Sequence, residues 1–196
     1  MLKLPPGLRL VLASRSPRRQ MLLAAAGLKF EVVEKDFDER WPGSLKGKEI
    51  AEYLARSKAE QLAGDFSSGD TVVITADTIV WCDGEVLGKP EDNKSAFRIL
   101  KAISGKTHEV ITGVGLLNGK RIKIFSETTL VTFDEITEED IGYYVENFNP
   151  FDKAGAYGIQ DWIGITANTK ISGSYFNVVG LPVNRLLKEL NDFINK

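Results

Sequence analysis

Apolar positions along the chain alternate between short continuous runs and helically spaced stripes. Leu8 to Ala13 is nearly all apolar, the pattern of a strand buried on both faces of a parallel sheet. The run breaks at Ser14-Arg15-Ser16-Pro17. Ser16 offers an N-cap, and Pro17 suits the first helical position because the N–H it lacks has no partner there. Helical spacing then carries through Met21, Leu22 and Ala25 to Gly27, and Phe30 to Val33 reads as a second strand. From Lys48 to Leu62 the residues Ile50, Leu54, Lys58 and Leu62 recur every four positions and share one helix face.

Thr71 to Ala76 is β-branched and apolar on both faces, a strand ending at Asp77-Thr78. Ile79 to Cys82 and Glu85 to Leu87, joined by Asp83-Gly84, read as a hairpin with a tight turn. A helix follows from Asn93 to Ile103, ended by Ser104-Gly105. Val110 to Leu117 and Arg121 to Phe133, joined at Asn118-Gly119, form a second hairpin. Thr137-Glu138-Glu139-Asp140 resembles a capping box opening a helix through Ile141, Tyr144 and Val145. A closing helix carries Val183, Leu186, Leu187 and Leu190. The fold class expected is α/β, a twisted mixed β-sheet flanked by helices. Parallel strands near the N-terminus supply a site at their carboxyl ends, and antiparallel hairpins extend the sheet.

Charge changes the picture at the first helix. A helix N-terminus carries partial positive charge and unpaired N–H groups, so acids usually occupy its first turn. Here Arg18 and Arg19 sit there, with Arg15 just before. Those guanidinium groups repel one another and the helix dipole unless an anion settles among them, and the hydroxyls of Ser14 and Ser16 complete its shell. The expectation is a polyphosphate site. The plainer alternative is a solvated turn whose arginines pair with distant carboxylates.

The 196 residues suit one domain, 1–196, or two lobes sharing a sheet. A formal net charge of -2 excludes a generally basic nucleic-acid coat, so phosphate affinity has to be local. A single cysteine, Cys82, forms no internal disulfide. Met1 to Arg9 is too short and too rich in Pro and Gly for a signal peptide, and no apolar run has membrane length. The expectation is a cytoplasmic protein without membrane or nucleic-acid partners.

Five further stretches carry candidate chemistry. The loop with Asp36, Asp38 and Glu39 is either a divalent-cation site working through water or a solvated acidic loop. Lys58, alone in an apolar stripe, reads as a phosphate ligand pointing into a cleft, or as a lysine snorkelling to solvent. Asp77, behind so apolar a strand, is the leading candidate to bind a metal or deprotonate water, against a turn-capping role. Lys89, between Gly88 and Pro90, is held near that strand end, where it offsets charge on a transferring phosphate. In Asp152 to Gln160, small residues surround single polar groups, and the Gln160 amide suits the edge of a base. His108, the only histidine, reads as structural.

In their order, Ala13 to Arg19, Ala76-Asp77-Thr78-Ile79-Val80, Gly88-Lys89-Pro90, Asp152 to Gln160 and Val179-Gly180-Leu181-Pro182 closely resemble the Maf family, once called septum-formation inhibitors, over nearly the whole chain. The resemblance implies a nucleoside triphosphate pyrophosphatase that cleaves between the α and β phosphates with a divalent metal, Mg²⁺ or Mn²⁺. It also implies two lobes with a central cleft and, often, a homodimer, for which no stretch of the sequence argues on its own. Carried over, Asp77 matches the proton acceptor. Ser14, Arg18, Arg19, Lys58 and Lys89 match polar cleft residues, and Glu39 matches an acid of the metal region beside Asp77. Arg18, Thr78 and Gln160 resemble the dTTP and UTP group rather than the 7-methyl-GTP group. The rival reading is a non-catalytic nucleotide-binding regulator of cell division; a nucleic-acid-binding module ranks last, for want of an extended basic face with interleaved aromatics.

Overall fold

A computed structural model describes residues 4–195. Its sheet has seven strands in the order β2-β1-β3-β5-β6-β7, with β4 paired to β3 off this path. β1 (Arg9–Ala13) is the apolar run, buried after its first residue. It lies parallel to β2 (Glu31–Val32) on one side and to β3 (Thr71–Cys82) on the other. β4 (Glu85–Leu87) returns antiparallel to β3 across Asp83-Gly84, both with positive φ. β5 (Thr107–Asn118) and β6 (Arg121–Phe133) follow, and β7 (Asn168–Ser172) runs antiparallel to β6. The helices are α1 (Pro17–Ala25), α2 (Lys48–Leu62), α3 (Asn93–Ile103), α4 (Glu138–Phe148), α5 (Trp162–Thr166), α6 (Tyr175–Val179) and α7 (Val183–Ile194). Among the described residues no helix is long and apolar enough to cross a membrane.

One boundary differs from the sequence expectation. Residues 71–76 and 79–82 are not two strands but one, and Asp77 lies inside β3 rather than at its end. The polar pair Asp77-Thr78 interrupts the apolar pattern but not the ladder: β1 pairs with the strand up to Thr75, and β4 takes it up again from Val80. Asp77 nevertheless lies just past the carboxyl end of the parallel β1–β3 ladder, so the expected side of the sheet is kept.

The chain divides into two compact units, 1–77 with 112–127 and 180–196, and 78–111 with 128–179. In the first, Val11, Ala13, Ala59, Leu62, Val73 and Leu117 form a buried cluster. Two glycines of β5 decide how α2 sits on it. A Cβ at Gly113 would lie 2.0 Å from the Ala51 carbonyl oxygen, and one at Gly115 would lie 2.5 Å from Thr75 Oγ1 and 3.1 Å from the Ala55 carbonyl oxygen. The α2 backbone therefore lies directly against the sheet, and Thr75 Oγ1 donates to the Ala55 carbonyl at 2.8 Å. One further turn along α2 and two residues along β3, on the same faces, this seating brings Lys58 to Asp77.

In the second unit α3 is opened by a capping box in which Asp92 accepts from Ser95 N–H at 2.7 Å. His108 is buried between Phe133 and Tyr157, edge-on to both rings, and its Nε2 shares a hydrogen bond with the Tyr157 hydroxyl at 2.8 Å. These are the surroundings of a packed core side chain. Burial lowers its pKa to about 4.

Candidate active site

The first unit gathers most of the predicted polar residues at the end of β1. Ser16 caps α1, its Oγ accepting from Arg19 N–H at 3.5 Å, with Pro17 in the first turn and no acid there. Buried Ser14 accepts two bonds at Oγ, from Ser16 N–H at 3.2 Å and from Arg19 Nη1 at 3.3 Å. A hydroxyl that accepts twice keeps its own proton to offer an anion. The Arg19 guanidinium also spans the unit: Nη1 donates to the Ala76 carbonyl at 2.9 Å and Nε to the Gly180 carbonyl at 2.9 Å. Burial lowers its pKa from the usual arginine value, and the nearby Asp77 carboxylate opposes that shift. Arg19 is thus both a cation of the site and a strut that fixes the backbone next to Asp77.

At the centre stands Lys58, only 6% exposed. Its Nζ donates to Asp77 Oδ2 in a very short contact and to Glu39 Oε1 at 2.7 Å, and it lies 5.6 Å from the centre of the Phe37 ring. The Asp77 side chain is 14% exposed and that of Glu39 50%, so the ammonium is buried on one side and reached by water past Glu39. Lys58 therefore does not point alone into a cleft as the sequence suggests; it bridges two carboxylates.

The other charges of this stretch take the plainer course. Arg15 turns outward to Asp36 at 2.9 Å and Glu34 at 3.7 Å, all exposed. Asp38 pairs with Arg40 at 2.6 Å, and this bonding holds its pKa down at about 2. Of the loop acids Asp36, Asp38 and Glu39, only Glu39 faces Lys58. The three-arginine cluster reduces to Arg18, half-buried in the first turn of α1, and Arg19.

Comparison with known proteins supplies what geometry lacks. The Maf family profile, described as "Maf-like protein", matches residues 9–193. The chain belongs to the Maf family. It is 49% identical over 183 residues to the dTTP/UTP pyrophosphatase of Phocaeicola vulgatus, covering 93% of this chain and 94% of that one. It is 46% identical to those of Bacteroides thetaiotaomicron, over 183 residues with the same coverage, and Porphyromonas gingivalis, over 187 residues and 94% of each chain. Among solved structures it is similar to a HAM1 protein from Coxiella burnetii, with a TM-score of 0.51 at 15% identity, covering 96% of this chain and 98% of that one. At that identity the likeness concerns the fold.

The remaining Maf motifs lie in the second unit. Thr78 follows Asp77 on β3, half-buried. Lys89 is exposed on the wall of a depression of about 540 Å³ that is also lined by Glu85, Glu91, Ser95 and Arg98. The Gly88 carbonyl accepts from Gly155 N–H at 3.1 Å, and Gly155 has φ of 73° with Val80 packed where a Cβ would stand, so two of the motifs meet there through backbone. Gln160 is exposed, between buried Ile159 and half-buried Asp161. Sequence reasoning missed two features: the Gly180 carbonyl as an acceptor for Arg19, and the carboxylate–ammonium–carboxylate bridge. The signal for the second was Lys58 itself, since a lysine at a core position of a helix stripe has to be paired.

Proposed function

We propose that the chain, as one nucleotide pyrophosphatase domain over residues 1–196, hydrolyses nucleoside triphosphates in the cytoplasm to nucleoside monophosphate and pyrophosphate, with dTTP and UTP preferred. The activity for which its relatives are named supports the substrate, and the Glu39–Lys58–Asp77 bridge beside Arg19 is the observation that carries the chemistry. Water attacks the α-phosphorus, the bond from the α-phosphorus to the bridging oxygen breaks, and pyrophosphate leaves with that oxygen. Asp77 takes the proton of the attacking water. Lys58 holds Asp77 Oδ2 and so turns Oδ1 toward the water as acceptor. Arg18 and Arg19 offset charge on the departing phosphates, while Ser14 and Ser16 supply hydroxyls to them; Lys89 is a further cation suited to phosphate charge. Thr78 and Gln160 contact the nucleoside, Gln160 through the base edge.

A divalent cation fits this donor set. Asp77 and Glu39 are hard oxygen donors that already converge on one cationic centre. Among the described residues no group of three or more His, Cys, Asp or Glu side chains could hold a metal. Two carboxylates with water and substrate phosphate are the usual set for Mg²⁺, which is seldom caged by protein alone. When bound, Mg²⁺ or Mn²⁺ supplies Lewis-acid polarisation of the phosphate oxygens.

The test is pyrophosphate release from dTTP, UTP, CTP, ATP, GTP and 7-methyl-GTP by wild type and Asp77→Asn. Asparagine keeps an acceptor oxygen for Lys58 but not the base, so turnover of dTTP and UTP should fall by ~10²–10³, the cost typical of losing one such group. Near-wild-type turnover in the variant removes Asp77 from the base role. Binding of triphosphate without release by the wild type would favour the regulator.

A further inference from the structure

Tyr144 lies on α4, fully buried, its ring stacked on Phe148 at 5.2 Å between centroids. A buried phenol needs a partner for its hydroxyl; this one has two. Its O–H donates to Asp161 Oδ2 at 2.8 Å, and its oxygen accepts from Gly158 N–H at 3.1 Å. Gly158 and Asp161 are the two ends of a tight turn, closed by Asp161 N–H donating to the Gly158 carbonyl at 3.0 Å. Ile159 and Gln160 are its central pair, Ile159 buried and Gln160 exposed. A single hydroxyl thus ties both ends of the turn that presents Gln160.

The turn has no steric slack either. A Cβ at Gly158 would stand 2.5 Å from the Asp161 carboxylate, and one at Gly164 on α5 would stand 2.5 Å from the Gly158 and Ile159 carbonyl oxygens. Lys153 lies 3.5 Å from Asp161 Oδ2 and 2.8 Å from Asp152 Oδ1, so the carboxylate that receives the tyrosine proton is itself steadied. Burial pushes the Tyr144 phenol above its ordinary pKa, so it keeps its proton at neutral pH.

Resting on the reading of Gln160 as the group that meets the base, we propose that Tyr144 is a specificity-positioning residue, its hydroxyl fixing the turn from which the Gln160 side chain leaves by bridging Gly158 N–H and the Asp161 carboxylate. An amide has a donor end and an acceptor end. Uracil and thymine offer an N3–H donor beside an O4 acceptor, whereas cytosine offers an N3 acceptor beside an N4 amine donor. A turn held in one place presents the amide to the base at one distance and angle, set for the first edge; a loosened turn lets the side chain shift until it meets the second as well. Loosening the turn therefore costs selectivity before it costs chemistry.

The experiment compares kcat and KM for UTP and CTP in the full chain carrying Tyr144→Phe, Asp161→Ala or Asp161→Asn. The UTP-to-CTP ratio of kcat/KM should fall by on the order of tenfold to a hundredfold in Tyr144→Phe and Asp161→Ala, through KM, with kcat on UTP within about threefold of wild type. Asp161→Asn, whose amide oxygen still accepts from the tyrosine, should keep most of the ratio. An unchanged ratio in folded Tyr144→Phe, whatever its melting temperature, makes the residue a packing element only and overturns the proposal; so does an equal loss of kcat on both nucleotides. If Tyr144→Phe does not fold, Asp161→Ala decides by the same ratio, its side chain being 26% exposed. Wild-type protein that releases pyrophosphate from neither nucleotide overturns the underlying reaction instead.

Discussion

Replacing Lys58 with methionine keeps the length and the apolar stem and deletes only the ammonium. The Asp77 carboxylate, 14% exposed, is then left facing Glu39 with no cation between them. Removing one partner of a fully buried pair costs about 3–5 kcal/mol, because the survivor stays desolvated and unpaired. The Glu39 arm, half in water, resembles a surface pair worth about 0–1 kcal/mol, and water entering past it softens the loss at Asp77. The low end, about 3 kcal/mol, follows. For a chain of this size each kcal/mol moves the melting temperature by about 2–4 °C, so Lys58→Met should melt about 6–12 °C below wild type. The double variant Lys58→Met with Asp77→Asn removes the stranded charge as well. It should melt above the single Lys58→Met variant, giving a coupling of about 1–3 kcal/mol in the cycle with Asp77→Asn alone. Thermal and denaturant unfolding of the four proteins measure this directly. A melting temperature within about 1 °C of wild type for Lys58→Met, or a coupling near zero, would refute the buried bridge.

Two other outcomes follow from packing and burial. Gly113→Ala pushes a methyl toward the Ala51 carbonyl, 2.0 Å away, and backbone cannot yield as a side chain does; it should destabilise by about 1–3 kcal/mol or more and lower turnover by shifting Lys58, measured by unfolding and pyrophosphate release together. His108 has its pKa lowered by burial to about 4 in the fold, so between pH 6.5 and 4 the unfolded chain binds the extra proton and stability falls as pH falls; the loss approaches about 3 kcal/mol at the acid end. His108→Gln, which still offers Tyr157 a hydrogen bond, should flatten that slope while leaving the slope below pH 4 unchanged, and identical pH–stability curves for the two proteins would contradict the assignment.

How far the sequence reached depended on how local each signal was. The α1 cap, the Asp83-Gly84 turn and the apolar face of α2 are set by residues within a few positions of one another, and all three were legible. Asp77 looked like a strand end because Asp77-Thr78 is polar, but strand continuity is decided by neighbours, here β1 and then β4, that local pattern does not contain. Gly113 and Gly115 look unremarkable in a β-branched run until a helix backbone is laid against them. Lys58 was recognisable as a buried cation, yet its partners are each 19 residues away, one in a loop and one in a strand. Tyr144 was read as a core residue of α4, which its ring is; the use of its hydroxyl depends on a turn 14 to 17 residues further on.

Charge accounting within the first unit explains why so few groups suffice. The whole chain carries a formal net charge of -2, and many of its ions sit in exposed pairs such as Arg15 with Asp36 and Arg40 with Asp38. At the end of β1 the cations Arg18, Arg19 and Lys58 stand near the acids Asp77 and Glu39, where burial weakens screening. Cations that already stand beside carboxylates do not by themselves balance a triphosphate, which carries several negative charges. The two carboxylates would then repel an uncompensated substrate, and the arrangement becomes favourable only when positive charge arrives with the nucleotide. The acids are therefore as informative as the arginines: a site built only to hold phosphate would omit them, whereas one that must also deprotonate water and accept a divalent cation beside the phosphates requires both.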